Sequence, residues 1–479
     1  MKNTDRFVII GAGPSGLAAA HELVKFKKKV RVYEKSMYYG GLARTIESNN
    51  CKYDIGPHRF YTLNNEINDF YLEILGDEVL NVKRLTRILY DNKFFLYPLS
   101  PFNTLSNLGL LKSIKILHSY FISKINKFIL RKKINNFEDW VVSNFGYELY
   151  KTFFKNYTEK VWGIDCRDIS KDWAAQRIKN LSFFNVIFNP ILKKFKKNKI
   201  KSLIDSFNYP KYGAGYFYEK LSKKINENKG EIYLENTLIK ILHKNNQVTS
   251  IKIKNNDDKI EEINAEHFIL SNPFTEIIKL LTPSPPKEII EASKRLKYRN
   301  HIGVKLEING FIFDDNWIYV HDPRVKMARV SNYKNFSISM SDDHFKNPVT
   351  VEYFCFEKDD LWTMKDEELI SLAEKELLLV GIINKNNLIK NSFIVRSVNA
   401  YPVIKKDYED HVYTIKKYLD SFINLYPIGR SGMFKYNNQD HAMATGIYAA
   451  RNIIDDSFNL DIWKINSEGI YVEGEVEIE

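Results

Sequence analysis

Glycines near the start of the chain have the spacing of a loop that binds phosphate. Residues 11–16 read Gly-Ala-Gly-Pro-Ser-Gly, directly after the apolar residues 7–10 and before a predicted helix. Gly11 allows a tight turn, Gly13 lets the backbone approach a pyrophosphate, and Gly16 permits close packing of helix on sheet. The pyrophosphate would lie at the helix N-terminus, at Pro14 and Ser15, because free N–H groups and the helix dipole favour anions there.

An acidic residue and a second glycine turn follow this motif. Glu34 ends a second predicted strand, residues 30–33, where its carboxylate can accept hydrogen bonds from a ribose, and Lys35 comes next. Residues 40–44 read Gly-Gly-Leu-Ala-Arg, so a second stretch of backbone can approach the cofactor. The first motif alone leaves NAD open, whereas the second turn favours FAD. This segment adds Gly41, Leu42, Ala43 and Arg44 to the candidate cofactor-binding residues.

Together these motifs resemble the amine-oxidase-like flavoprotein superfamily, which includes protoporphyrinogen oxidase, phytoene desaturase and UDP-galactopyranose mutase. In that superfamily the arginine after the double glycine faces the flavin, which implies the same role for Arg44. Residues 429–432 (Gly-Arg-Ser-Gly) and 434–441 (Phe-Lys-Tyr-Asn-Asn-Gln-Asp-His) resemble the C-terminal flavin segment of eukaryotic-type UDP-galactopyranose mutases. The resemblance implies flavin contacts for Arg430, Asn438, Gln439 and Asp440, and diphosphate contacts for Tyr436 and Asn438. Tyr436 and Asn438 lie two residues closer together here than in that pattern.

Three further segments resemble the mutases in the same order along the chain. Arg84 and Thr86 match an arginine and a hydroxyl near the flavin, and Tyr97 matches a substrate contact. Trp162 and the segment 173–177, which ends in Arg177, match a helix that offers an arginine to the diphosphate. Residues 326–333 match a strand with a second cation and a tyrosine. By register these are Lys326 and Tyr333, with Arg324 and Arg329 as alternative cations. Taken singly, the cations could equally be surface residues and the tyrosines core residues.

The loop around His58 departs from the mutase pattern. Pro57 stands where the mutases carry glycine, the loop is shorter, and a second histidine is missing. In the mutases this loop lies against the flavin N5 edge, so Pro57 and His58 are predicted to contact the cofactor. Pro57 stiffens the backbone and removes an N–H group, so movement of this loop with redox state would differ here. The candidate catalytic residues are His58 and Arg84, although a structural role fits His58 equally well. No metal cluster is predicted.

The chain is too long for a single core, and its pattern indicates a mixed α/β fold. We predict a Rossmann-type FAD-binding domain from the discontinuous residues 1–80, 205–290 and 420–460. A helical domain (81–204) and a mixed antiparallel-sheet domain (291–419) would hold the substrate, and residues 461–479 would form a tail. Three widely spaced cysteines, no predicted signal peptide and no apolar run long enough to span a bilayer favour a cytoplasmic location.

The net charge of +12 is concentrated in two stretches. Residues 108–134 carry seven basic residues and residues 183–204 carry six, with no acidic residue in either stretch. Lysines interleaved with apolar residues fit peripheral contact with an anionic membrane, at its inner face, but a solvated helix face fits equally well. Nucleic acid is not expected as a partner.

The resemblance implies a flavin-dependent isomerase that interconverts the pyranose and furanose forms of a sugar on a nucleotide or lipid diphosphate. Reduced flavin N5 would attack the anomeric carbon and form a covalent adduct, without net redox change, in cell-surface polysaccharide biosynthesis. NAD(P)H is one candidate for the external reductant, which the sequence does not identify. The alternative enzyme is an oxidase or desaturase of an apolar substrate, and a third reading is a non-catalytic flavoprotein scaffold.

Overall fold

A parallel sheet assembled from distant parts of the chain organises the first layer of the fold. The computed structural model describes residues 5–129, 133–171, 173 and 206–466. Within these residues the sheet has five parallel strands, whose spatial order is β20 (Leu425–Pro427), β13 (Ala265–Leu270), β1 (Asp5–Ile10), β2 (Val30–Tyr33) and β9 (Glu231–Tyr233). β1 is buried from Phe7 to Ile10, as expected for a strand with both faces covered. The N-terminal and C-terminal parts of the chain therefore meet in one sheet.

Four helices of the described chain cover one face of this sheet. They are α1 (Pro14–Lys25), α2 (Asn65–Leu75), α8 (Ala214–Glu227) and α15 (Gln439–Ile454). α1 and α15 touch closely, because a Cβ at Gly446 would lie 2.1 Å from the carbonyl oxygen of Ser15. Their shared core includes Ala18, Ala19 and Met443. Glycine and alanine thus allow two backbones to approach where larger residues would separate them.

A smaller sheet covers the other face of the parallel sheet. Its four strands, counted in the described residues, have the order β12 (Ile260–Ile263), β11 (Gln247–Lys254), β10 (Thr237–Lys244) and β14 (Leu281–Thr282). Three helices share its core: α9 (Phe274–Leu280), α10 (Lys287–Arg295) and α13 (Tyr408–Leu419). Val8 and Ile10 of β1 point into this core, whereas Phe7 and Ile9 point towards α1. The alternation of a strand between its two faces accounts for this division.

A long, mainly antiparallel sheet forms the second half of the molecule. Seven strands are described, in the order β19 (Ile389–Pro402), β15 (Tyr298–Asn309), β18 (Lys346–Cys355), β17 (Arg329–Asn332), β16 (Trp317–Val320), β6 (Thr86–Tyr90) and β7 (Lys93–Leu96). Only the β16–β6 pair is parallel among them. The short helix α11 (Asp360–Thr363) follows β18, and α12 (Asp366–Leu379) packs on β15 and β19. The strands β6 and β7 fall inside the predicted helical domain in sequence, yet they belong to this sheet.

The helical lobe consists of α3 (Pro101–Leu108), α4 (Leu110–Ile129), α5 (Phe137–Phe145), α6 (Tyr147–Leu149), a π-helix at Tyr150–Lys155, and α7 (Asn156–Trp162). Their aromatic residues form one core cluster with Ile88 and Phe95 of the long sheet. Two small sheets complete the described structure: β3 (Thr45–Ser48) with β4 (Cys51–Asp54), and β5 (Val79–Lys83) with β8 (Ser206–Pro210).

The observed layers confirm the predicted fold class, a discontinuous Rossmann-type sheet with a separate antiparallel sheet and helices. The C-terminal residues through 466 are not a detached tail, because Trp463 and Ile465 pack on the core and their carbonyl oxygens accept hydrogen bonds from Lys435 Nζ. In the described part of the chain, every helix is too short or too polar to cross a membrane.

Candidate functional site

The first glycine turn has the geometry that the sequence motif predicts. Gly11 has a φ of +102°, and a Cβ there would lie 2.1 Å from Ser271 Oγ. α1 then begins with Pro14 as its first residue. A Cβ at Gly16 would lie 1.9 Å from the Gly11 carbonyl oxygen, so this glycine lets the helix pack against the turn.

Glu34 lies at the end of β2 with its carboxylate fixed by the backbone. Its Oε2 accepts a hydrogen bond from Ala12 N at 2.8 Å, and its Oε1 accepts one from Ser36 N at 2.9 Å. A carboxylate has about four acceptor sites, so each oxygen can still receive a ribose hydroxyl. The predicted ribose contact is therefore sterically and chemically available, and exposed Lys35 lies beside it.

The second glycine turn faces the first. Gly40 N donates to the Ala12 carbonyl oxygen at 2.8 Å, and a Cβ at Gly41 would lie 3.2 Å from Gly13 Cα. Arg44 Nη1 donates to the Gly41 carbonyl oxygen at 2.8 Å, whereas its buried Nε has no hydrogen-bond partner in the structure as described. Burial lowers the pKa of Arg44. Two glycine turns thus bring two stretches of backbone together with one buried guanidinium.

The N-terminus of α15 completes this part of the site. Asn438 caps the helix: its side chain accepts from the backbone N–H of His441, and its own N–H donates to His441 Nδ1 at 3.3 Å. Gln439 Oε1 accepts a hydrogen bond from Tyr218 at 2.7 Å. The N-terminus of α1 packs against Gly446 in the middle of α15, and the N-termini of both helices line the same cavity, where each favours negative charge.

One cavity of about 630 Å³ joins these elements. It is lined by every predicted cofactor-binding residue except Gly16, which packs beneath the turn. The paired glycine turns, the acid, the buried arginine and the two helix N-termini fit a long dinucleotide with a pyrophosphate. The donor set and the fold together support FAD as the cofactor.

His58 and Pro57 also line the cavity, as predicted. His58 N donates to the Gly56 carbonyl oxygen at 2.8 Å, which holds a tight turn. Desolvation lowers the pKa of His58 to about 3, and the guanidinium groups of Arg430 and Arg329 contribute to this shift. The imidazole is therefore neutral at pH 7 and can exchange hydrogen bonds but does not carry a charge.

Beneath this turn lies a buried ion pair that the sequence did not reveal. Arg329 donates to Glu352 through Nε at 2.7 Å and through Nη2 at 2.6 Å, and His301 Nε2 lies 3.0 Å from Glu352 Oε2. Burial opposes ionisation of Glu352, but Arg329 and His301 outweigh it and lower the pKa of this carboxyl to about 2. A Cβ at Gly56 would lie 3.2 Å from Glu352 Oε2, so the pair supports the loop directly.

Aromatic rings fill the wall around Arg430. Its guanidinium carbon lies 4.8 Å from the ring centroid of Tyr436 and 5.1 Å from that of Tyr401. Arg430 Nε donates to the Asn437 carbonyl oxygen at 2.7 Å, and no carboxylate in the described ranges forms an ion pair with it. Tyr436 contacts buried Trp162, with ring centroids 5.7 Å apart. Arg430, Tyr436 and Trp162 therefore meet in one wall of the cavity.

Arg84 lies against two rings of the same wall. Its guanidinium carbon is 5.3 Å from the ring centroid of Tyr97 and 5.8 Å from that of Trp317. All three guanidinium nitrogens are buried without a hydrogen-bond partner among the described residues, as are Thr86 Oγ1 and Trp317 Nε1. Five N–H donors without acceptors are unfavourable in a protein interior. Tyr97 and Trp317 line the cavity, but Arg84, predicted to be catalytic, is not among the lining residues.

Two substrate residues predicted from register do not reach the cavity. Lys326 is exposed, and the hydrogen bond that it forms with the Glu376 carboxylate comes from its backbone N–H and not from its side chain. Tyr333 is fully buried in the core and donates to the Asp54 carbonyl oxygen at 2.8 Å. Arg329, considered as an alternative cation, lines the cavity instead. Arg177 lies outside the described residues.

Several residues that line the cavity were not among the site residues predicted from the sequence. Tyr157 stacks on His321 with ring centroids 4.4 Å apart, and Tyr319 lies 5.0 Å from Tyr97 by the same measure. All of these rings line the cavity, and so does Tyr401. Tyr157 stands in the sequence segment 157–163 that ends in Gly163, a visible signal, whereas Tyr319 and Tyr401 lie on strands without a local motif.

The far end of the cavity is apolar and lies in the helical lobe. It is lined by Phe137, Phe145, Leu149, Phe153 and Phe154. The cavity thus passes from a polar dinucleotide site, past cations and tyrosines, to a hydrophobic end. In the described residues no group of three or more His, Cys, Asp or Glu side chains could hold a metal ion.

Comparison with known proteins agrees with this arrangement. The NAD(P)-binding Rossmann-like domain family matches residues 9–74. L-amino-acid oxidase of Sistrurus catenatus edwardsii is 23% identical over 66% of this chain and 60% of its own length. dTDP-fucopyranose mutase of Escherichia coli is 25% identical over 40% of this chain and 50% of its own length. The chain therefore matches less than two thirds of the length of either relative.

The structural likeness extends over the whole fold. A crystal structure of reduced UDP-galactopyranose mutase superposes with a TM-score of 0.81 at 18% identity, covering 98% of this chain and 97% of that one. The three named proteins are an oxidase and two mutases. The chain therefore has the same fold as UDP-galactopyranose mutase, as its motifs predict.

Proposed function

We propose that this protein is an FAD-dependent mutase that interconverts the pyranose and furanose forms of a sugar linked to a nucleotide or lipid diphosphate. The observation that carries the proposal is the content of one cavity, where the dinucleotide site opens onto Arg430, Arg329 and several tyrosines. Guanidinium groups bind phosphate oxygens bidentately, and tyrosine hydroxyls add donors at low entropic cost.

FAD would be held by the glycine turns, Glu34, Arg44 and the N-termini of α1 and α15. In its reduced form it would supply a nucleophilic nitrogen for the anomeric carbon. Arg430 carries the charge that would attract the diphosphate. Arg329 is held rigidly by Glu352 and would offer its remaining donors to the ligand. Neutral His58 would exchange a hydrogen bond beside the flavin without adding charge.

One experiment tests this function. The purified holoprotein is incubated with UDP-galactofuranose and with lipid-diphosphate-linked furanoses, with and without dithionite, and the sugar products are separated by chromatography. Isomerisation that requires the reduced flavin supports the proposal. A protein that carries reducible flavin and isomerises none of these sugars would contradict it.

The second candidate is an FAD-dependent oxidase or desaturase of an apolar substrate. The apolar end of the cavity, lined by Phe137, Phe145 and Phe153, favours it, and the relatives include an oxidase. Stoichiometric substrate oxidation with peroxide release, in the absence of dithionite, distinguishes it from the mutase.

A further inference from the structure

Helix α4 presents an apolar face that no described part of the chain covers. Leu110 and Leu111 are 77% and 79% exposed, and Ile114, Phe121 and Ile125 are each more than half exposed. Ile122 is 43% exposed. We call these six residues the α4 face. Single exposed apolar residues are ordinary, but these six lie on one side of one helix, in two groups separated by exposed His118.

The α4 face lies opposite the side by which the helix is anchored. Ser113, Ile116, Tyr120 and Ser123 are buried, and Ile116 and Tyr120 belong to the core of the helical lobe. At about 100° per residue, these four positions lie on one side of the helix and the α4 face on the other. The exposed apolar residues are therefore not needed to fix α4 in the fold.

The helix that carries this face is basic and has no acidic residue. Lys115 is exposed and borders the face, whereas Lys124 and Lys127 lie towards the anchored side, where Lys127 Nζ donates to Asn144 Oδ1. No acidic residue occurs in the sequence between Asp91 and Glu138. A row of apolar side chains accompanied by lysines is the arrangement by which a helix lies in the interface of an anionic bilayer. Nucleic acid fits less well, since its phosphates offer nothing to the apolar row.

We propose that the α4 face docks on an anionic lipid bilayer. Leucine, isoleucine and phenylalanine side chains enter the boundary between headgroups and acyl chains, and the lysines of the helix pair with lipid phosphates. The lobe is suited to this role because Ile116 and Tyr120 share a core cluster with Phe137, Phe145 and Phe153, which line the apolar end of the cavity. A membrane-bound helical lobe places that end of the cavity near the lipid phase.

Vesicle flotation tests the docking independently of any catalytic activity. The FAD-loaded protein is mixed with vesicles of phosphatidylcholine containing about 30% phosphatidylglycerol, or of phosphatidylcholine alone, at low and high salt. We expect the protein to float with the anionic vesicles at low salt, and several-fold less with neutral vesicles or at high salt. A protein that stays at the bottom of the gradient with anionic vesicles overturns the proposal.

Two triple variants locate the surface. Leu110→Ser, Ile114→Ser and Phe121→Ser together should reduce flotation at least about fivefold. Each substitution removes an apolar side chain that would otherwise enter the bilayer. The control replaces three apolar residues of the long sheet's half that are each more than 70% exposed: Phe311→Ser, Ile338→Ser and Phe345→Ser. The control should float as the unmodified protein does. Equal flotation of both triple variants, each with full flavin absorbance and an unchanged unfolding temperature, overturns the assignment.

Self-association is the competing use of an apolar face, and the same variants resolve it. Size-exclusion chromatography without lipid should give one oligomeric state for the protein and for the α4 variant. If the unmodified protein is a dimer that the α4 variant converts to a monomer, and neither floats, the face joins two copies and the membrane proposal is wrong.

Discussion

Arg329 and Glu352 form a bidentate ion pair, at 2.7 and 2.6 Å, directly beneath the loop that carries His58. The Glu352 side chain is fully buried and that of Arg329 is 15% exposed. Neither residue belongs to a sequence motif around the loop, yet the pair fixes both the cation that faces the cavity and the backbone at Gly56.

Glu352→Gln should therefore destabilise the protein strongly. The substitution keeps the side-chain volume but leaves Arg329 buried without its counter-charge, which costs about 3–5 kcal/mol in unfolding free energy. Urea unfolding of the FAD-saturated protein measures the change. The control Glu291→Gln breaks the exposed pair with Lys294 and should cost less than about 0.5 kcal/mol. Equal effects of the two substitutions would show that the buried pair contributes nothing special.

Arg84 and Arg87 allow a comparison between a guanidinium group that lacks hydrogen-bond partners and one that forms a bidentate ion pair. Arg84→Met removes a buried charge that no described residue neutralises, so the ligand-free protein should be unchanged or more stable by about 1–2 kcal/mol. Loss of its contacts with the wall residues Tyr97 and Trp317 should lower kcat/KM. Arg87→Met instead strands buried Asp315, its bidentate partner, and should cost about 3–5 kcal/mol. Thermal unfolding and initial rates give both readouts. Loss of stability in Arg84→Met with unchanged kinetics would assign Arg84 a structural role.

Lys326→Gln should leave substrate binding unchanged. Lys326 is exposed to solvent and does not line the cavity, whereas Arg329 does. The KM and kcat of Lys326→Gln should therefore stay within about twofold of those of the unmodified protein. Arg329→Lys should raise KM at least about tenfold, because lysine cannot offer a planar fork. Steady-state kinetics with the identified sugar substrate measures both variants. A large increase in KM for Lys326→Gln would instead support the prediction from the sequence that Lys326 is the cation that binds substrate.

Gly11→Ala should abolish retention of FAD. The φ of +102° and the contact with Ser271 both disfavour a Cβ at this turn. Gly310→Ala is the control, because Gly310 has a φ of +86° but a Cβ there would lie 3.6 Å from its nearest neighbour, an ordinary contact distance. Strain alone costs about 1 kcal/mol, so the control should keep its flavin. The flavin-to-protein absorbance ratio after gel filtration is the measurement, and loss of flavin from both variants would point to general destabilisation.

His21 predicts how stability depends on pH. Desolvation lowers the pKa of buried His21 to about 4; Lys25 and Lys224 add to the shift, and Glu73 opposes it. Because the unfolded chain binds the proton near pH 6.5, the stabilisation is complete above pH 6.5 and is lost as the pH falls towards 4. His21→Gln should make the decrease in unfolding free energy between pH 6.5 and pH 4 smaller by about 1–3 kcal/mol. Urea titrations across the range test it, with exposed His344→Gln as the control, which should leave the slope unchanged.

The dinucleotide half of the site was predictable because its determinants are local. Gly11, Gly13 and Gly16 need particular backbone conformations or contacts within a few residues, and Glu34 follows at a fixed distance along a βαβ unit. The substrate half depends on pairings across the sheet. Arg329 finds Glu352 on a neighbouring strand, 23 residues away, which no local spacing encodes.

Strand β15 shows why the alternation of polar and apolar residues does not predict which side chains are exposed in this protein. Its polar residues, among them Arg299, His301, Lys305 and Glu307, suggest a solvent-facing side, yet all are buried. Lys305 Nζ donates to the Asp54 and Thr350 oxygens, and His301 contacts Glu352. The polar face of the strand is thus an internal network that supports the loop of Pro57 and His58. Tyr333 joins it from the adjoining segment, which is why the tyrosine predicted to meet substrate lies in the core.

The contact of Gly446 with Ser15 has a consequence for how the protein matures. The arginine at 430 and the N-terminus of α15 follow the first glycine turn by more than 400 residues, so they leave the ribosome long after it. Until then the nascent chain holds half of a dinucleotide site and an uncovered sheet edge at β13. The complete cofactor site therefore exists only once these distant segments have both been synthesised and have folded together.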